Sequence, residues 1–259
     1  MAQVTSYAAG TPSWVDLMTS DPEGARGFYG GLFGWEFDVG PAEAGYYTIC
    51  KLRGQYVAGI GGEPAPQGMP TVWTTYIATD DVDAAAKRIH DAGGRLNMEP
   101  TDVMDQGRMA IGVDPTGTVF GLWQARNHIG ASLVNEPGAV VWNELATRDL
   151  DAARAFYTAV FGYDWEDLDT GGGPRYATFA VGGRMTGGAL QMNEQFPADI
   201  PSHWMVYFAV GDTDGTAAAA ERLGGGVIAA PMDSPYGRFA VLRDPQGAAF
   251  TAIRPPAES

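Results

Sequence analysis

Two carboxylates stand at matching places in a duplicated stretch of the chain, and both are suited to proton transfer. Asp16 lies in the stretch WVDLMTSDPEGARGFYGGLFGW (14–35), and Glu144 lies in WNELATRDLDAARAFYTAVFGY (142–163). A carboxyl group that is removed from water has a raised pKa and can act as a general acid or base near neutral pH. Asp16 and Glu144 are therefore candidate catalytic residues. The alternative is a structural role, in which each carboxylate accepts hydrogen bonds and orients its strand.

A histidine joins these two carboxylates as a candidate. The chain has three histidines: His90 falls in a predicted helix, His128 in a predicted linker and His203 at the start of a predicted strand. Strand alternation places His203 on the same face as Met205, two residues further on. Because that face should also carry Glu144, a Glu144–His203 pair is conceivable, and His203 is the third catalytic candidate.

The stretches that contain the two carboxylates are copies of each other. Ten of their 22 positions are identical, and their offset of 128 residues is about half of the 259-residue chain. Self-similarity at this spacing indicates a duplication, with one structural module in each half. We expect a first module at 1–125, a linker at 126–140 and a second module at 141–259. Modules of about 125 residues also fit the common domain size.

Short helices and strands are predicted to alternate in each module. In the first module, Asp21 and Pro22 supply a helix N-cap and first helical position, and Gly34 ends that helix. A second helix is predicted at 82–92. Strand-like segments of this module lie near 46–52, 57–60, 71–79, 109–113 and 118–124, in addition to the strand that carries Asp16. The pattern is βαβββ in duplicate, with the helices on one sheet face and a concave face opposite.

Composition limits the partners and the compartment. The balance of 16 Lys and Arg against 31 Asp and Glu gives a net charge of −15, which repels nucleic acid and anionic membranes. No stretch approaches the ~18 apolar residues of a membrane span, and the N-terminus lacks the pattern of a signal peptide. Cys50 is the only cysteine, which excludes an intrachain disulfide and a multi-thiolate metal site. We therefore expect a cytoplasmic monomer or homodimer without a nucleic-acid or membrane partner.

Several short motifs recur at matching positions in the two halves. The first half contains Trp14-x-Asp16, Phe28-Tyr29-x₃-Phe33-Gly34-Trp35, Tyr76-Ile77-Ala78-x-Asp80-Asp81-Val82, Gly107-Arg108 and Asp114-Pro115-x-Gly117. The second half contains Phe156-Tyr157-x₃-Phe161-Gly162, Tyr207-Phe208-Ala209-Val210-x-Asp212, Gly237-Arg238 and Asp244-Pro245-x-Gly247. Together these motifs resemble the vicinal oxygen chelate superfamily, which includes glyoxalases, bleomycin-resistance proteins and extradiol dioxygenases. The chain is similar to tandem two-module bacterial members that are often labelled antigens or hydroxylases.

The resemblance implies an α+β fold in which each module pairs two βαβββ units into a U-shaped sheet around a cavity. In enzymatic members a divalent metal is held there by His, Glu or Gln side chains from three strands. The corresponding positions hold Asp16, Thr74 and Gly121 in the first module and Glu144, Met205 and Thr251 in the second. A catalytic metal normally takes three ligands of His or carboxylate type. We therefore expect no metal cofactor, with a bound divalent metal as the alternative.

The strand faces that carry the carboxylates are otherwise apolar and aromatic. Alternation places the following candidate ligand-binding residues on them: Trp14, Met18, Thr74, Tyr76, Trp123, Trp142, Met205, Tyr207 and Thr251. An apolar surface with a few polar tips is typical of a small-molecule pocket, and Met provides adaptable contacts. The alternative is that these side chains fill the seam between the modules as ordinary core.

The function predicted from these residues is metal-independent binding of a mostly apolar, aromatic or polyketide-like small molecule in a cavity between the modules. The protein would be a binding or resistance protein, or an accessory enzyme of natural-product metabolism that orients such a molecule for proton transfer. The alternative is a metal-dependent enzyme of the superfamily, either a glyoxalase-like lyase or isomerase or a dioxygenase. A third possibility is an interaction protein whose cavity is filled by its own side chains.

Overall fold

The computed structural model describes residues 3–66 and 68–256, which form sixteen strands and four α-helices. In the first half the elements are β1 (Pro12–Met18), α1 (Pro22–Phe33), β2 (Glu36–Val39), β3 (Thr48–Leu52), β4 (Gln55–Ile60), β5 (Val72–Ala78), α2 (Val82–Asp91), β6 (Arg95–Val103), β7 (Gly107–Val113) and β8 (Val119–Ala125). In the second half they are β9 (Val140–Thr147), α3 (Leu150–Phe161), β10 (Asp164–Leu168), β11 (Tyr176–Val181), β12 (Arg184–Gln191), β13 (His203–Ala209), α4 (Thr213–Arg222), β14 (Gly226–Ser234), β15 (Gly237–Arg243) and β16 (Ala249–Arg254).

Each half forms one eight-stranded sheet that is not closed. The strand order is β2-β3-β4-β1-β5-β8-β7-β6 in the first module and β10-β11-β12-β9-β13-β16-β15-β14 in the second. The strands β1 and β5 pair antiparallel at the centre, and each pairs in parallel with the last strand of its own unit, β4 and β8 respectively. The predicted α+β fold of two tandem modules, each built from two βαβββ units, is confirmed.

The helices begin and end where the sequence predicts. The side chain of Asp21 accepts a hydrogen bond from the backbone N–H of Gly24 at the start of α1, and Gly34 ends the helix at φ 72°. In α3 the same roles fall to Asp149 and Gly162. Glycine suits the left-handed position that ends both helices because it has no Cβ.

The outermost strands β2, β6, β10 and β14 were not among the predicted segments. They lie at the sheet edges and are largely exposed, so their residues do not alternate between apolar and polar types. The segment β6 even contains a proline, Pro100. Because an edge strand needs neither a buried face nor a complete set of backbone donors, the hydrophobic period that reveals inner strands is lost there.

The two sheets stack through their helix-bearing faces. One core cluster joins Phe28 and Tyr29 of α1 to Phe208 and Phe250 of the second module. Another joins the first module to Phe156 and its neighbours on α3. Burial of each such ring contributes about 1.5–3 kcal/mol, so the seam is a substantial core. The sequence predicts one cavity between the modules, but apolar side chains fill that space, and Asp16 and Glu144 lie on the opposite faces of the two sheets.

We call the sheet faces that carry these carboxylates hollow one, on the first sheet, and hollow two, on the second. On the faces turned toward each other, a buried polar contact joins the central strands of the two sheets. Thr75 Oγ1 of β5 donates to Asn143 Oδ1 of β9 at 2.9 Å. Among the described residues, no helix is both long enough and apolar enough to cross a membrane.

Candidate ligand-binding site

Hollow one contains a carboxylate that is held by two tyrosines. Asp16 lies at the middle of β1, and its Oδ2 atom accepts hydrogen bonds from Tyr76 at 3.0 Å and from Tyr47 at 3.1 Å. The indole N–H of Trp14 donates to the Tyr47 hydroxyl at 2.9 Å. These four side chains therefore form one connected polar chain on an aromatic surface.

Glycines on the neighbouring strands leave room for these tyrosines. Asp16 is paired with Gly59 on β4, and a Cβ at Gly59 would lie 1.9 Å from the Tyr47 hydroxyl oxygen. Tyr76 is paired with Gly121 on β8, where a Cβ would lie 2.1 Å from the Tyr76 ring. Both glycines are thus positions at which a side chain is excluded so that a ring can cross the strand.

Hollow two repeats the arrangement with a glutamate. Tyr207 donates to Glu144 Oε1 at 2.9 Å, and the Trp142 indole N–H donates to the Tyr176 hydroxyl at 3.0 Å. Tyr176 lies over Gly188, where a Cβ would be 2.2 Å from its hydroxyl oxygen. The carboxylate, two tyrosines and tryptophan are therefore present in both modules.

One position breaks the repeat. Thr251 on β16 replaces the glycine that pairs with Tyr76 in the first module. Thr251 is 1% exposed, and its Oγ1 has no hydrogen-bond partner among the described residues. The Thr251 hydroxyl lies beside Tyr207, whose hydroxyl it approaches, so hollow two carries a polar side chain where hollow one has a glycine.

Burial shifts the pKa values of both carboxylates toward neutrality. Desolvation raises the pKa of Asp16 to about 6, against the smaller lowering effects of the Tyr76 and Tyr47 hydrogen bonds. Desolvation also raises the pKa of Glu144, and the Tyr207 and Tyr176 hydroxyls oppose it. A carboxyl group that titrates near neutral pH can accept or return a proton, and it also accepts hydrogen bonds strongly when ionised.

His203 does not join Glu144 in the structure. Its Nδ1 atom lies 2.8 Å from the carbonyl oxygen of Pro201, and burial lowers the pKa of the imidazole. On the paired strands His203 stands opposite Ala146, whereas Met205 stands opposite Glu144. His203 is thus a neighbour of the carboxylate on the same face, and its catalytic role stays a prediction.

The predicted ligand-binding residues divide into buried and accessible ones. In hollow one, Trp14, Tyr76 and Trp123 are 5%, 7% and 6% exposed and form a cluster with Ala131 of the linker. The remaining six, of which only Thr251 is buried, are Met18, Thr74, Trp142, Met205, Tyr207 and Thr251. Some of these side chains therefore fill space, and ligand binding by the others stays a prediction.

Tyr47 and Tyr176 were missed by the sequence reasoning, although a signal for them exists. They stand 129 residues apart, as do Gly59 and Gly188, the glycines over which they lie. A tyrosine and a glycine that recur together, one residue beyond the 128-residue offset of the first strands, indicate a ring that crosses a strand position without a side chain. Alternation along the strands that carry the carboxylates does not reveal these tyrosines, because Tyr47 lies just before β3 and Tyr176 is the first residue of β11.

The residues at the superfamily's metal positions do not fit a divalent metal. Each hollow supplies one carboxylate, and its other two positions are Thr74 and Gly121 or Met205 and Thr251. The Tyr76 ring covers the place where a side chain of residue 121 would stand. Throughout the described ranges 3–66 and 68–256, no three His, Cys, Asp or Glu side chains come together as metal ligands.

A family model now decides the classification. The model described as the Glyoxalase/Bleomycin resistance protein/Dioxygenase superfamily matches residues 11–122 and 129–251. The chain belongs to this superfamily. Both matched ranges correspond to one eight-stranded sheet each, so the superfamily member is a tandem two-module protein.

Two named relatives are similar to this superfamily member over nearly its whole length. The putative glyoxylase CFP32 of Mycobacterium tuberculosis is 48% identical over 260 residues, which cover 98% of each chain. The anthracycline biosynthesis protein DnrV of Streptomyces peucetius is 38% identical over 265 residues, covering 96% of this chain and 95% of DnrV.

Solved structures share the fold at low sequence identity. The 2,3-dioxygenase LapB from Pseudomonas sp. KL28 has a TM-score of 0.67 and 12% identity, covering 96% of this chain and 93% of LapB. The Mn(II)-bound glyoxalase from Novosphingobium aromaticivorans has a TM-score of 0.64 and 17% identity, covering 95% and 83%. At this level of identity the likeness concerns the architecture alone.

Proposed function

We propose that this chain binds a mostly apolar, aromatic or polyketide-like small molecule in a hollow, without a metal. It acts as a binding or resistance protein, or as an accessory enzyme of natural-product metabolism in the cytoplasm. The chain, with its modules at 1–125 and 141–259, is a monomer or a homodimer, and neither nucleic acid nor a membrane is its partner. The name of DnrV, an anthracycline biosynthesis protein, supports an aromatic polyketide as the ligand class.

The observation that carries this proposal is a buried carboxylate with tyrosine hydroxyls on an aromatic wall. In hollow two, Glu144 is 8% exposed and is bonded by Tyr207, while the partly exposed Trp142 and Met205 lie around it. A phenolic hydroxyl of a ligand can donate to the carboxylate, and ring faces can stack on the aromatic side chains. Glu144 and Asp16 are then the groups able to move a proton, with His203 as a neighbour.

A metal-dependent lyase, isomerase or dioxygenase remains the rival function. It requires three ligands of His or carboxylate type in one hollow, and the donor sets described above supply one. The tyrosine hydroxyls beside each carboxylate favour an organic ligand with its own hydrogen-bonding groups.

Titration with 1,8-dihydroxyanthraquinone tests the proposal. We expect saturable quenching of tryptophan fluorescence and a rise in melting temperature of about 2–4 °C at saturating probe. Glu144→Gln should weaken binding about tenfold, because an amide is a poorer acceptor than a carboxylate. The exposed Glu43→Gln serves as the matched control and should leave the affinity unchanged. Absence of quenching and of thermal shift across a panel of anthraquinones and naphthoquinones would refute the proposal.

A further inference from the structure

The two hollows differ at one end because the linker crosses only hollow one. Residues 126–133, which we call the strap, start on the β7–β8 side, where the backbone N–H groups of Arg126 and His128 donate to the Gln106 carbonyl at 3.0 and 3.1 Å. They finish on the β1–β4 side, where Ala131 donates to the Ser13 carbonyl at 2.8 Å. The next two backbone N–H groups, at 132 and 133, donate to the carbonyl of Tyr56 on β4.

Side chains of the strap cover the aromatic rings of hollow one. The His128 ring lies edge-on to Trp14 at a centroid distance of 4.5 Å and 5.5 Å from the Trp123 ring. The Trp123 indole N–H donates to the His128 carbonyl at 2.7 Å, and Ala131 is 3% exposed against the same rings. His128 is itself 7% exposed, and neither ring nitrogen has a partner among the described residues. The imidazole therefore fills space in hollow one.

The corresponding end of hollow two is uncovered in the part of the chain that the structure describes. Tyr236, which takes the place of Gln106 in the repeat, is 61% exposed. Met232 on β14 pairs with Phe239 and is 44% exposed. Trp142, the counterpart of Trp14, is partly exposed rather than buried. Exposed Tyr and Met side chains beside a hollow give adaptable contacts for an aromatic ligand.

The two hollows differ in the exposure of their aromatic ring faces rather than in their carboxylates. Desolvation raises the pKa values of both carboxylates, and Asp16 is no more covered than Glu144, so the carboxylate does not close hollow one. Its rings are nevertheless covered by the strap, and the ring surface is what a planar apolar ligand needs for most of its binding energy.

We infer that the ligand binds in hollow two alone, one molecule per chain, with its ring system between Trp142 and the exposed Met232 and Tyr236, while hollow one is closed to it by the strap. This inference rests on the proposed function. It makes the second module the binding module and the first module its support. The ligand class is a planar aromatic molecule that carries a hydroxyl or carbonyl group for Glu144 and Tyr207.

Methionine footprinting distinguishes the hollows. Met98 on β6 of the first sheet and Met232 on β14 of the second are 45% and 44% exposed, so they are reporters of equal exposure, although they do not occupy equivalent positions in the repeat. The exposed Met69, in the loop before β5, reports on changes unrelated to either hollow. Brief oxidation by hydrogen peroxide, followed by mass spectrometry, gives the rate of sulfoxide formation at each methionine.

With saturating 1,8-dihydroxyanthraquinone we expect oxidation of Met232 to slow several-fold and that of Met98 and Met69 to stay unchanged. Calorimetry should give one probe per chain. Tyr236→Ala should weaken binding about fivefold, because it removes a ring contact at an exposed position where folding is unaffected. Its counterpart Gln106→Ala should have no effect. Protection of Met98, or two probes per chain, would overturn this inference and leave the proposed function standing. No saturable binding, or binding that protects neither Met98 nor Met232, would overturn both.

Discussion

Asp16→Asn is expected to raise the free energy of unfolding by about 2–3 kcal/mol at pH 8. Tyr47 and Tyr76 both donate to the same oxygen of Asp16, and an amide oxygen can accept both bonds. The substitution therefore keeps the hydrogen bonds and removes a charge that is costly to hold away from water. A carboxylate that lowers stability in this way is typical of a functional residue.

The sign of the predicted stability change follows from the difference in the Asp16 pKa between the folded and unfolded states. Because folding raises the pKa of Asp16 from 3.8 to about 6, the folded protein binds more protons than the unfolded chain between those values. The stability that comes from the protonated carboxyl is complete below the unfolded-state pKa and is lost as the pH rises through 6. The advantage of Asp16→Asn should therefore fall to about half at pH 5. His128, whose pKa burial lowers to about 4, affects both proteins equally.

Urea unfolding at pH 8 and pH 5, followed by tryptophan fluorescence, measures this difference. Glu43→Gln, at an exposed position, is the control and should change the free energy of unfolding by less than about 0.5 kcal/mol. If Asp16→Asn is less stable than the wild type at pH 8, the ionised carboxylate is a structural acceptor. The second interpretation of Asp16 from the sequence would then be correct.

Gly188→Ala should abolish most ligand binding while leaving the protein folded. The new Cβ would lie 2.2 Å from the Tyr176 hydroxyl oxygen, a contact that forces the ring to move away from Trp142 and Glu144. Since the clash involves the tip of a partly exposed side chain, the ring can swing out at a cost of about 1 kcal/mol. We expect the affinity for 1,8-dihydroxyanthraquinone to fall at least about tenfold, because the wall of hollow two is lost.

Gly59→Ala is the matched control for Gly188→Ala. It places a Cβ 1.9 Å from the Tyr47 hydroxyl oxygen in hollow one and so causes the same local change. If the ligand occupies hollow two, this variant should retain wild-type affinity in the same calorimetric titration. Equal losses in the two variants would mean that both hollows bind, and a loss in Gly59→Ala alone would assign the ligand to hollow one.

The repeat made most of the architecture predictable. The caps Asp21 and Gly34 and their copies indicated the first helix of each module, and segments rich in β-branched and aromatic residues, such as Val72–Ala78, identified the central strands. The edge strands could not be predicted, because an exposed strand has no hydrophobic period. Stacking of the two modules through their helices could not be predicted either, because an amphipathic stripe shows that a face is buried and does not show what buries it.

The candidate site was predictable in part for a related reason. Asp16 and Glu144 were found because they recur in the repeat, and alternation placed Trp142, Met205 and Tyr207 on their face. The sequence shows the strap only as a segment without helix or strand periodicity, because its contacts with Trp14 and Trp123 join residues that have no regular spacing. His203 lies on the expected face, but strand pairing places it opposite Ala146, two residues from Glu144.

Affinity for 1,8-dihydroxyanthraquinone before and after removal of metals tests the central claim most directly, namely that a carboxylate and tyrosines bind the ligand without an ion. The protein is dialysed against EDTA and then against metal-free buffer, and the titration is repeated with and without added Mn(II). We predict that the three affinities agree within about twofold. Binding that is lost on chelation and restored by Mn(II) would contradict the account and favour a metal-dependent member of the superfamily.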